Sequence, residues 1–354
     1  MSAPSALPTI ERHCRPSVEP MEAGPIYIGG LDRSGKTTLQ AFLTSHPRIA
    51  IPGVGSNMWT YFYRRYGDLS RSENLERCLD AMLRYTHIRY LKPDQDRIRR
   101  EFSRGPHTYA HLFSLFLIHF AEREGKPRWG AQTGLIERYV DQLFAAYPGA
   151  KVIHMVRDPR DRYEASLGLW PDGKGRAGGA TARWNYSVRL AERHLRRHPR
   201  DYLVVRFEDL IRRPEGTLRA VCGFLGESFV SSMLMMSGAP ERRERLMNRA
   251  SGTLTAGLLS DDFIGRFHNR ISREELAFIE LHAQLRMRKL GYEPVAMRLT
   301  TRDWARFAAR TWPSQFARMI AWRGLELLQQ SVPNLAPRRP DPRSIVAPGG
   351  DDLR

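Results

Sequence analysis

The octapeptide Gly30–Thr37 reads G-L-D-R-S-G-K-T and fits the pattern G-x-x-x-x-G-K-[ST]. The short apolar run Ile26–Ile28, which favours a β-strand, lies just before it. After it, Leu39, Phe42 and Leu43 recur at helical spacing. Strand, glycine loop and helix in this order are the setting of a phosphate loop, so the stretch predicts the first strand and first helix of a P-loop-like fold.

The chemistry of such a loop follows from its glycines. They allow successive backbone N–H groups to converge on one oxyanion, and the positive end of the following helix adds to the attraction. Lys36 supplies a point charge for a leaving phosphate. A phosphate or phosphosulfate is therefore the expected ligand. Nucleotide kinases, other nucleoside triphosphatases and sulfotransferases all use this device, so the loop alone leaves the transferred group open.

The composition is that of a folded and strongly basic chain. Of 354 residues 42% are apolar, and the formal net charge is +18, which excludes a disordered or fibrous protein. Only six of the 56 basic residues are lysines, a skew most simply explained by coding bias. No module with interleaved aromatic and basic residues is present, so we expect no nucleic-acid partner. A phosphorylated small molecule would use the same positive field.

Three features bear on location. Cys14, Cys78 and Cys222 are odd in number and widely spaced, which is typical of a reducing cytoplasm. Residues 1–20 lack the apolar core of a secretory signal, and the apolar run Leu112–Ala121 is too short to span a bilayer. A cytoplasmic protein is expected.

Strand-like and helix-like patterns alternate along the chain. This alternation favours a three-layer α/β/α architecture with a central, mostly parallel sheet and helices on both faces. The predicted strands are Ile26–Ile28, Lys151–Val156 and Tyr202–Phe207, and the predicted helices are Thr38–Ser45, Thr108–Arg123, Ile136–Tyr147, Arg160–Leu169, Thr181–Arg197, Glu215–Leu225 and Ser272–Leu290.

The composition changes again near the C-terminus. There, aromatic residues and arginines alternate in a predicted amphipathic helix pair broken at Pro313. Residues 302–327 therefore predict either peripheral contact with an anionic membrane, at its inner face, or a helix packed on the preceding domain. The predicted segments are a disordered leader at 1–24, an α/β domain at 25–294, the helical extension at 295–332 and a disordered tail at 333–354.

A second motif occupies residues 151–166, which read K-V-I-H-M-V-R-D-P-R-D-R-Y-E-A-S. An apolar strand ends at Arg157, and a helix begins at Pro159. Ligands of open α/β sheets bind at the carboxyl ends of the strands. A cation there, with a hydroxyl one or two helical turns on, predicts a second anion pocket beside the phosphate loop, for which a simple nucleoside triphosphatase has little need.

With both motifs, the sequence resembles the sulfotransferases that use 3′-phosphoadenosine 5′-phosphosulfate (PAPS), particularly their bacterial branch. The resemblance covers residues 25–292. It implies that Arg157 and Ser166 bind the 3′-phosphate, and that Phe207 and Arg266 belong to the donor site. Three further segments match weakly: Arg128-Trp129-Gly130 with Thr133, Arg206–Leu210, and Gly265-Arg266-Phe267. The residues implied for the 5′-phosphosulfate are Arg33, Ser34, Gly35, Thr37 and Thr38, with Lys36 as an inserted lysine.

The sequence departs from the family pattern in four places. Ala165 stands where the family has its serine, so Ser166 matches with an offset of one residue. Phe207 replaces a tyrosine and keeps a ring for stacking on adenine without the hydroxyl. The segments Pro52–Gly55 and Ala131–Gly134 stand where relatives carry their acidic or histidine bases. The general base is therefore unassigned.

The sequence thus predicts a sulfotransferase that moves a sulfuryl group from PAPS to an acceptor hydroxyl and releases 3′-phosphoadenosine 5′-phosphate (PAP). Arg33 and Lys36 would stabilise charge on the departing 5′-phosphate, and no metal is expected. The acceptor is a small molecule or a lipid-linked alcohol, and the oligomeric state is open. One alternative is a kinase that uses Mg-ATP, with Asp158 or Asp209 holding the metal. Another is a nucleotide-binding relative without catalysis.

Other polar and aromatic residues have plainer interpretations. His154 lies mid-strand and is interpreted as an interior histidine rather than a base. Capping or exposure explains Asp68, His107 and Glu137 unless their loops fold over the phosphate loop. The aromatic residues that would either line an acceptor pocket or pack in the core are Trp59, Tyr61, Phe62 and Tyr63.

Overall fold

The structure is a computed structural model that describes residues 23–168, 176–247, 261–295 and 300–332, with residues 340 and 345. The predicted leader, apart from residues 23 and 24, lies outside the described residues. The same holds for the predicted tail, apart from residues 340 and 345. The division of the chain into four segments therefore stays a prediction.

A parallel sheet forms the centre of the fold. Its spatial order is β2-β3-β1-β4-β5, and all four neighbouring pairs run parallel. The central strand β1 is buried along its whole length, as expected for an apolar strand covered on both faces. The strands are β1 (Ile26–Gly29), β2 (Ile49–Ala50), β3 (Arg128–Gln132), β4 (Lys151–Val156) and β5 (Tyr202–Arg206).

Helices cover both faces of the sheet and confirm the α/β/α architecture. One apolar core joins residues of β1 to the helical region that precedes β3, and a second core lies on the opposite face. The helices are α1 (Lys36–Leu43), α2 (Met58–Tyr61), α3 (Ser72–Leu83), α4 (Thr86–Arg89), α5 (Gln95–Arg104), α6 (Tyr109–Arg123), α7 (Val140–Ala146), α8 (Pro159–Leu167), α9 (Ala177–Arg197), α10 (Phe207–Arg212), α11 (Pro214–Leu225), α12 (Pro240–Met247), α13 (Arg273–Lys289), α14 (Thr301–Arg306) and α15 (Trp312–Ser331).

The structure corrects several predicted elements. The strands β2 and β3 were not predicted, because the first is two residues long and the second, R-W-G-A-Q, is not an apolar run. Gly130 in β3 is required by packing, since a Cβ there would lie 2.6 Å from the Ile26 carbonyl oxygen. The predicted helix Ile136–Tyr147 is a 3₁₀ turn at Ile136–Arg138 followed by α7.

The C-terminal extension packs on the domain through one side of α15. Phe307 and Met319 are buried against Ala182 and Phe278. The predicted break at Pro313 is wrong: a π-helical turn at 307–311 joins α14 to α15, and the proline lies in the first turn of α15, where its missing N–H is tolerated. Among the described helices, none combines the length and the hydropathy needed to cross a bilayer.

One tight contact of this packing is at Gly178, in the first turn of α9. Its N–H donates to the Gln315 side-chain oxygen at 2.9 Å. A Cβ built on Gly178 would lie 1.9 Å from the Gln315 backbone carbonyl oxygen, so a side chain here must displace α15. The next residue, Gly179, has no atom within 4 Å of such a Cβ.

We expect Gly178→Ala to lower the free energy of unfolding by about 1–3 kcal/mol, because overpacking forces two helices apart. Urea-induced unfolding measures the change. Gly179→Ala is the matched control and should leave stability unchanged or raise it by up to about 1 kcal/mol, since alanine favours a helix. Equal stability of the two variants would contradict the packing described here.

Candidate functional site

The phosphate loop joins β1 to α1 with a backbone that depends on glycine. Gly30 and Gly35 have φ angles of +101° and +91°, in the region that side chains rarely adopt. Space is also lacking, because a Cβ on Gly35 would lie 2.3 Å from the ring of Phe207. The amide of Gly30 lies 3.4 Å from a carboxylate oxygen of the buried Glu137, which holds the start of the loop.

Lys36 folds back over the loop that carries it. Its ammonium group donates to the carbonyl oxygens of Gly30 at 2.9 Å and Leu31 at 2.8 Å, and it lies 3.6 Å from the carboxylate of Asp32. Its side chain is only 11% exposed. Burial lowers the pKa of Lys36, while the Asp32 and Glu137 carboxylates act in the opposite direction. The lysine thus closes the loop and still lines the cleft next to it.

The other loop residues differ in their surroundings. The hydroxyl of Thr37 donates to the side-chain oxygen of Gln132 at 3.2 Å. Thr38 accepts a hydrogen bond of 3.1 Å from the guanidinium of Arg242. Both threonines line the cleft, whereas Ser34 is buried and is not among the lining residues.

Arg157 connects the second motif to the phosphate loop. It follows the carboxyl end of β4, and its guanidinium donates to the Arg33 carbonyl at 3.2 Å and to the Phe263 carbonyl at 2.6 Å. The same guanidinium lies 4.6 Å from the centre of the Phe207 ring, within the range of a cation–π contact. The structure therefore brings the first motif, the second motif and Phe207 into direct contact.

Buried carboxylates fix the segments around Arg157. Asp161 accepts hydrogen bonds from the backbone N–H groups of Gly265 and Phe267, at 2.7 and 3.1 Å, and so positions Arg266 at the cleft. Glu208 accepts the N–H of Asp158 at 3.0 Å and the hydroxyl of Tyr292 at 2.8 Å. Three segments distant in the sequence are thereby held in one arrangement.

Ser166 has a local partner. Its hydroxyl donates to the Tyr163 carbonyl at 2.7 Å, one turn back in α8. The neighbouring Ala165, at the family's usual serine position, lines the cleft. The role of Ser166 toward a 3′-phosphate stays a prediction.

The cleft has a volume of about 880 Å³ and a strongly cationic wall. Two carboxylates on this wall are already paired: Asp32 with Lys36 at 3.6 Å, and Glu164 with Arg270 at 3.2 Å. Sequence reasoning missed Arg242, Arg270, Asn57 and His87, because each lies outside a recognisable motif and reaches the cleft only through the tertiary fold. The basic residues of the wall are Arg33, Lys36, Arg157, Arg242, Arg266 and Arg270.

The remaining sequence candidates lie away from the cleft. His154 is buried, with Nδ1 2.9 Å from the Tyr202 hydroxyl, and burial lowers its pKa. Asp68 is hydrogen-bonded to Ser70 in a turn, and His107 is exposed and lies against the ring of Phe102.

The four aromatic residues at positions 59 and 61–63 belong to the core next to β1. Trp59 and Phe62 are buried in this core, and Tyr61 and Tyr63 pack against it half-buried. Trp59 also contacts Tyr63, with ring centres 4.7 Å apart and the ring planes tilted by 40°. Core packing, rather than an acceptor pocket, accounts for these four residues.

Comparison with known proteins identifies solved structures that are similar to this chain. The search of curated proteins found no match. Among solved structures, the chain is similar to the sulfotransferase domain of the Synechococcus PCC 7002 olefin synthase, at 20% identity and a TM-score of 0.43, over 83% of this chain and 97% of that one. Sulfotransferase STF9 from Mycobacterium avium matches at 14% identity and a TM-score of 0.44, over 77% and 78%. Mouse sulfotransferase SULT7A1, solved with PAP, matches at 15% identity and a TM-score of 0.36, over 79% and 87%.

The family of the chain is shown by a match between its sequence and a family model. A model described as "Sulfotransferase family" matches residues 25–231, a range that includes the phosphate loop, the second motif and strand β5. This range is more than half of the chain of 354 residues, and the chain belongs to the sulfotransferase family.

Proposed function

We propose that the protein transfers a sulfuryl group from PAPS to an acceptor hydroxyl and releases PAP. The observation that carries this proposal is the contact of Arg157 with the Arg33 carbonyl and the Phe207 ring, at 3.2 and 4.6 Å. This contact joins two anion-binding motifs in one cleft. A donor with a phosphosulfate at one end of its ribose and a phosphate at the other needs two such sites.

The proposed donor would bind the cleft in one orientation. The backbone N–H groups of the phosphate loop, with Arg33 and Lys36, would hold the 5′-phosphosulfate. Arg157 and Ser166 would hold the 3′-phosphate, with Arg266 beside them and the Phe207 ring available for stacking on adenine. The cationic wall is suited to a ligand with several negative charges.

Transfer would follow an in-line path. The acceptor oxygen attacks sulfur, and the bond between sulfur and the bridging oxygen of the 5′-phosphate breaks, so that negative charge collects on that phosphate. Lys36 and the loop amides are preorganised to stabilise this charge, because the protein already holds them in place before transfer.

The kinase alternative requires an aspartate free to hold Mg²⁺ near Thr37. Asp158 caps α8 and forms a buried ion pair with Arg160 at 2.6 Å. Asp209 pairs with Arg213 at 3.1 Å, and neither aspartate is among the described residues that line the cleft. The hydroxyl of Thr37 is hydrogen-bonded to Gln132. These pairings favour a metal-independent transfer over phosphoryl transfer from Mg-ATP.

We expect PAP without metal to stabilise the protein against heat, by about 2.7 kcal/mol at 100 times its Kd. The stabilisation should disappear in Arg157→Ala, because the 3′-phosphate loses its cation. Arg196→Ala replaces an exposed residue of α9 and is the matched control. This variant should respond to PAP like the native chain. Stabilisation by Mg-ATP alone would overturn the proposal and favour the kinase.

We expect Lys36→Met to lower kcat by about 10²–10³-fold while changing the Kd for PAP far less, because the ammonium acts mainly on charge that develops during transfer. Methionine retains the aliphatic stem inside the loop. Transfer of label from [³⁵S]PAPS gives kcat, and calorimetry gives the Kd for PAP. Equal losses in both quantities would mean that Lys36 only binds the donor.

A further inference from the structure

A histidine that no motif predicted lies on the wall of the donor cleft. His87 is in the short helix α4 and is half-buried. Its Nδ1 lies 2.8 Å from the Gly55 carbonyl oxygen and 2.8 Å from the Tyr85 hydroxyl. A carbonyl oxygen can only accept a hydrogen bond, so we assign the proton of the neutral ring to Nδ1. In the neutral ring, Nε2 then has the free lone pair.

The partners of this histidine are themselves fixed. The Gly134 N–H donates to the side-chain oxygen of Asn57 at 3.0 Å, so the amide nitrogen of Asn57 is the atom that donates to Gly55 and Tyr85, at 3.1 Å each. Tyr85 is 2% exposed, and burial raises the pKa of its hydroxyl, which keeps it protonated. The orientation of the ring is therefore set before any ligand binds.

The cluster adjoins the phosphate loop. Asn57, His87 and Gly134 line the same cleft as Lys36. A Cβ on Gly134 would lie 3.5 Å from a carboxylate oxygen of Asp32, a residue of the loop itself. The described carboxylates of this wall have cationic partners, so the imidazole of His87 is the group on the wall best suited to act as a base.

We propose that His87 is the general base for the acceptor hydroxyl, an assignment that rests on the proposed sulfuryl transfer. The proton of the acceptor R–OH moves to Nε2 as its oxygen forms a bond to sulfur. The bond between sulfur and the 5′-phosphate oxygen breaks, and its electron pair stays on that oxygen. The products are R–OSO₃⁻, PAP and an imidazolium that returns its proton to solvent.

The test is His87→Asn, in which the amide nitrogen stands near the position of Nδ1 and keeps the bond to Gly55, while Nε2 is lost. With an aliphatic alcohol chosen from a panel screened with [³⁵S]PAPS, we expect kcat to fall by about 10²–10⁴-fold at unchanged Kd for PAP. With 4-nitrophenol, which ionises without help near neutral pH, the loss should be less than about tenfold.

His107→Asn is the matched control, because that histidine is exposed and lies off the cleft, and its activity should be native. Native rates in His87→Asn would overturn the assignment and leave the proposed function intact. A loss of PAP affinity in His87→Asn equal to the loss of kcat would mean that His87 has only a structural role. That result would also overturn the assignment of His87 as the general base. Failure of the native protein to bind PAP and to transfer label to any acceptor would remove the proposed function itself.

A second inference rests on α15, which is apolar on its outward side as well as on its packed side. Leu327 is 65% exposed and Ile320 is 47% exposed. At 100° per residue they share one side with Ala317, Gly324 and Leu328, all exposed. Gln315, Met319 and Glu326 form the buried side. We call the outward set Ala317, Ile320, Ala321, Gly324, Leu327 and Leu328 the outer stripe.

Positive charge surrounds the outer stripe. The exposed Arg302, Arg310, Arg318 and Arg323 form no ion pair with any described residue. The nearby acids are occupied, because Asp303 caps α14 and Glu326 is buried in a pair with Arg138. An apolar helix side bordered by unpaired arginines matches an anionic lipid surface, where guanidinium groups reach the phosphates and the apolar side enters the acyl boundary.

We infer that the outer stripe docks on an anionic membrane. A second copy of the chain is disfavoured as occupant, because a two-fold interface would bring the same arginines together. The docking does not depend on the chemistry in the cleft.

The experiment is sedimentation of the full chain with vesicles of phosphatidylcholine alone or with 30% phosphatidylglycerol. We expect binding only to the anionic vesicles, and a loss of at least tenfold in the partition coefficient for the double variant Ile320→Gln, Leu327→Gln. Met235→Gln, another exposed apolar position, is the control and should bind like the native chain. Equal partitioning of the double variant would overturn the proposal. Membrane docking would also be overturned if the native chain were a dimer that the double variant dissociates. The same holds if residues 333–354 occupied the outer stripe.

Discussion

The close approach of Phe207 to Gly35 is the constraint on which the cleft beside the phosphate loop depends. The space between them admits no Cβ, and the φ angle of +91° at Gly35 independently requires glycine. Since Phe207 opens the helix after β5 and Gly35 ends the loop after β1, the contact sets the distance between strands that are not neighbours in the sheet. Arg157 then lies on the same ring. Loop, ring and cation thus form a stack that a larger residue at position 35 would separate.

Buried carboxylates hold the backbone segments that surround this stack. Glu137 accepts a hydrogen bond from the amide of Gly30, and Glu208 accepts one from the amide of Asp158. Asp161 accepts hydrogen bonds from the amides of Gly265 and Phe267. In each case a charged oxygen satisfies backbone N–H groups that would otherwise be buried without partners. Burial raises the pKa values of Asp161 and Glu208, which shows how little solvent these carboxylates meet. A chain with a large excess of arginine therefore uses part of its small acidic content to hold loops rather than to bind ligand.

Much of the fold and part of the cleft could be predicted from the sequence. The G-x-x-x-x-G-K-T loop and Arg157 were found because their residue types are tied to a local backbone, either a glycine turn or a strand end. Phe207 was found only through the resemblance to the sulfotransferases. Strand β3 was missed because Gly130 is chosen for its contact with β1 and not for strand propensity. His87 and Arg242 were missed for a related reason, since their neighbours in the sequence carry no signal and only the tertiary fold brings them to the cleft. Ser166 was selected by family spacing, and its hydroxyl has a partner within its own helix.

The order of the sheet also determines when the anion site can exist. Strand β1 has its neighbours β3 and β4 at residues 128–132 and 151–156, so neither edge of β1 is paired until more than a hundred further residues have been synthesised. Parallel pairing over such separations is entropically slow, and it leaves an apolar strand without partners in the meantime. Because the loop is anchored by Glu137 and packed against Phe207, its shape arises only after the C-terminal half of the sheet has formed. The shape of the phosphate loop is thus a late product of folding, although its residues precede most of the sheet along the chain.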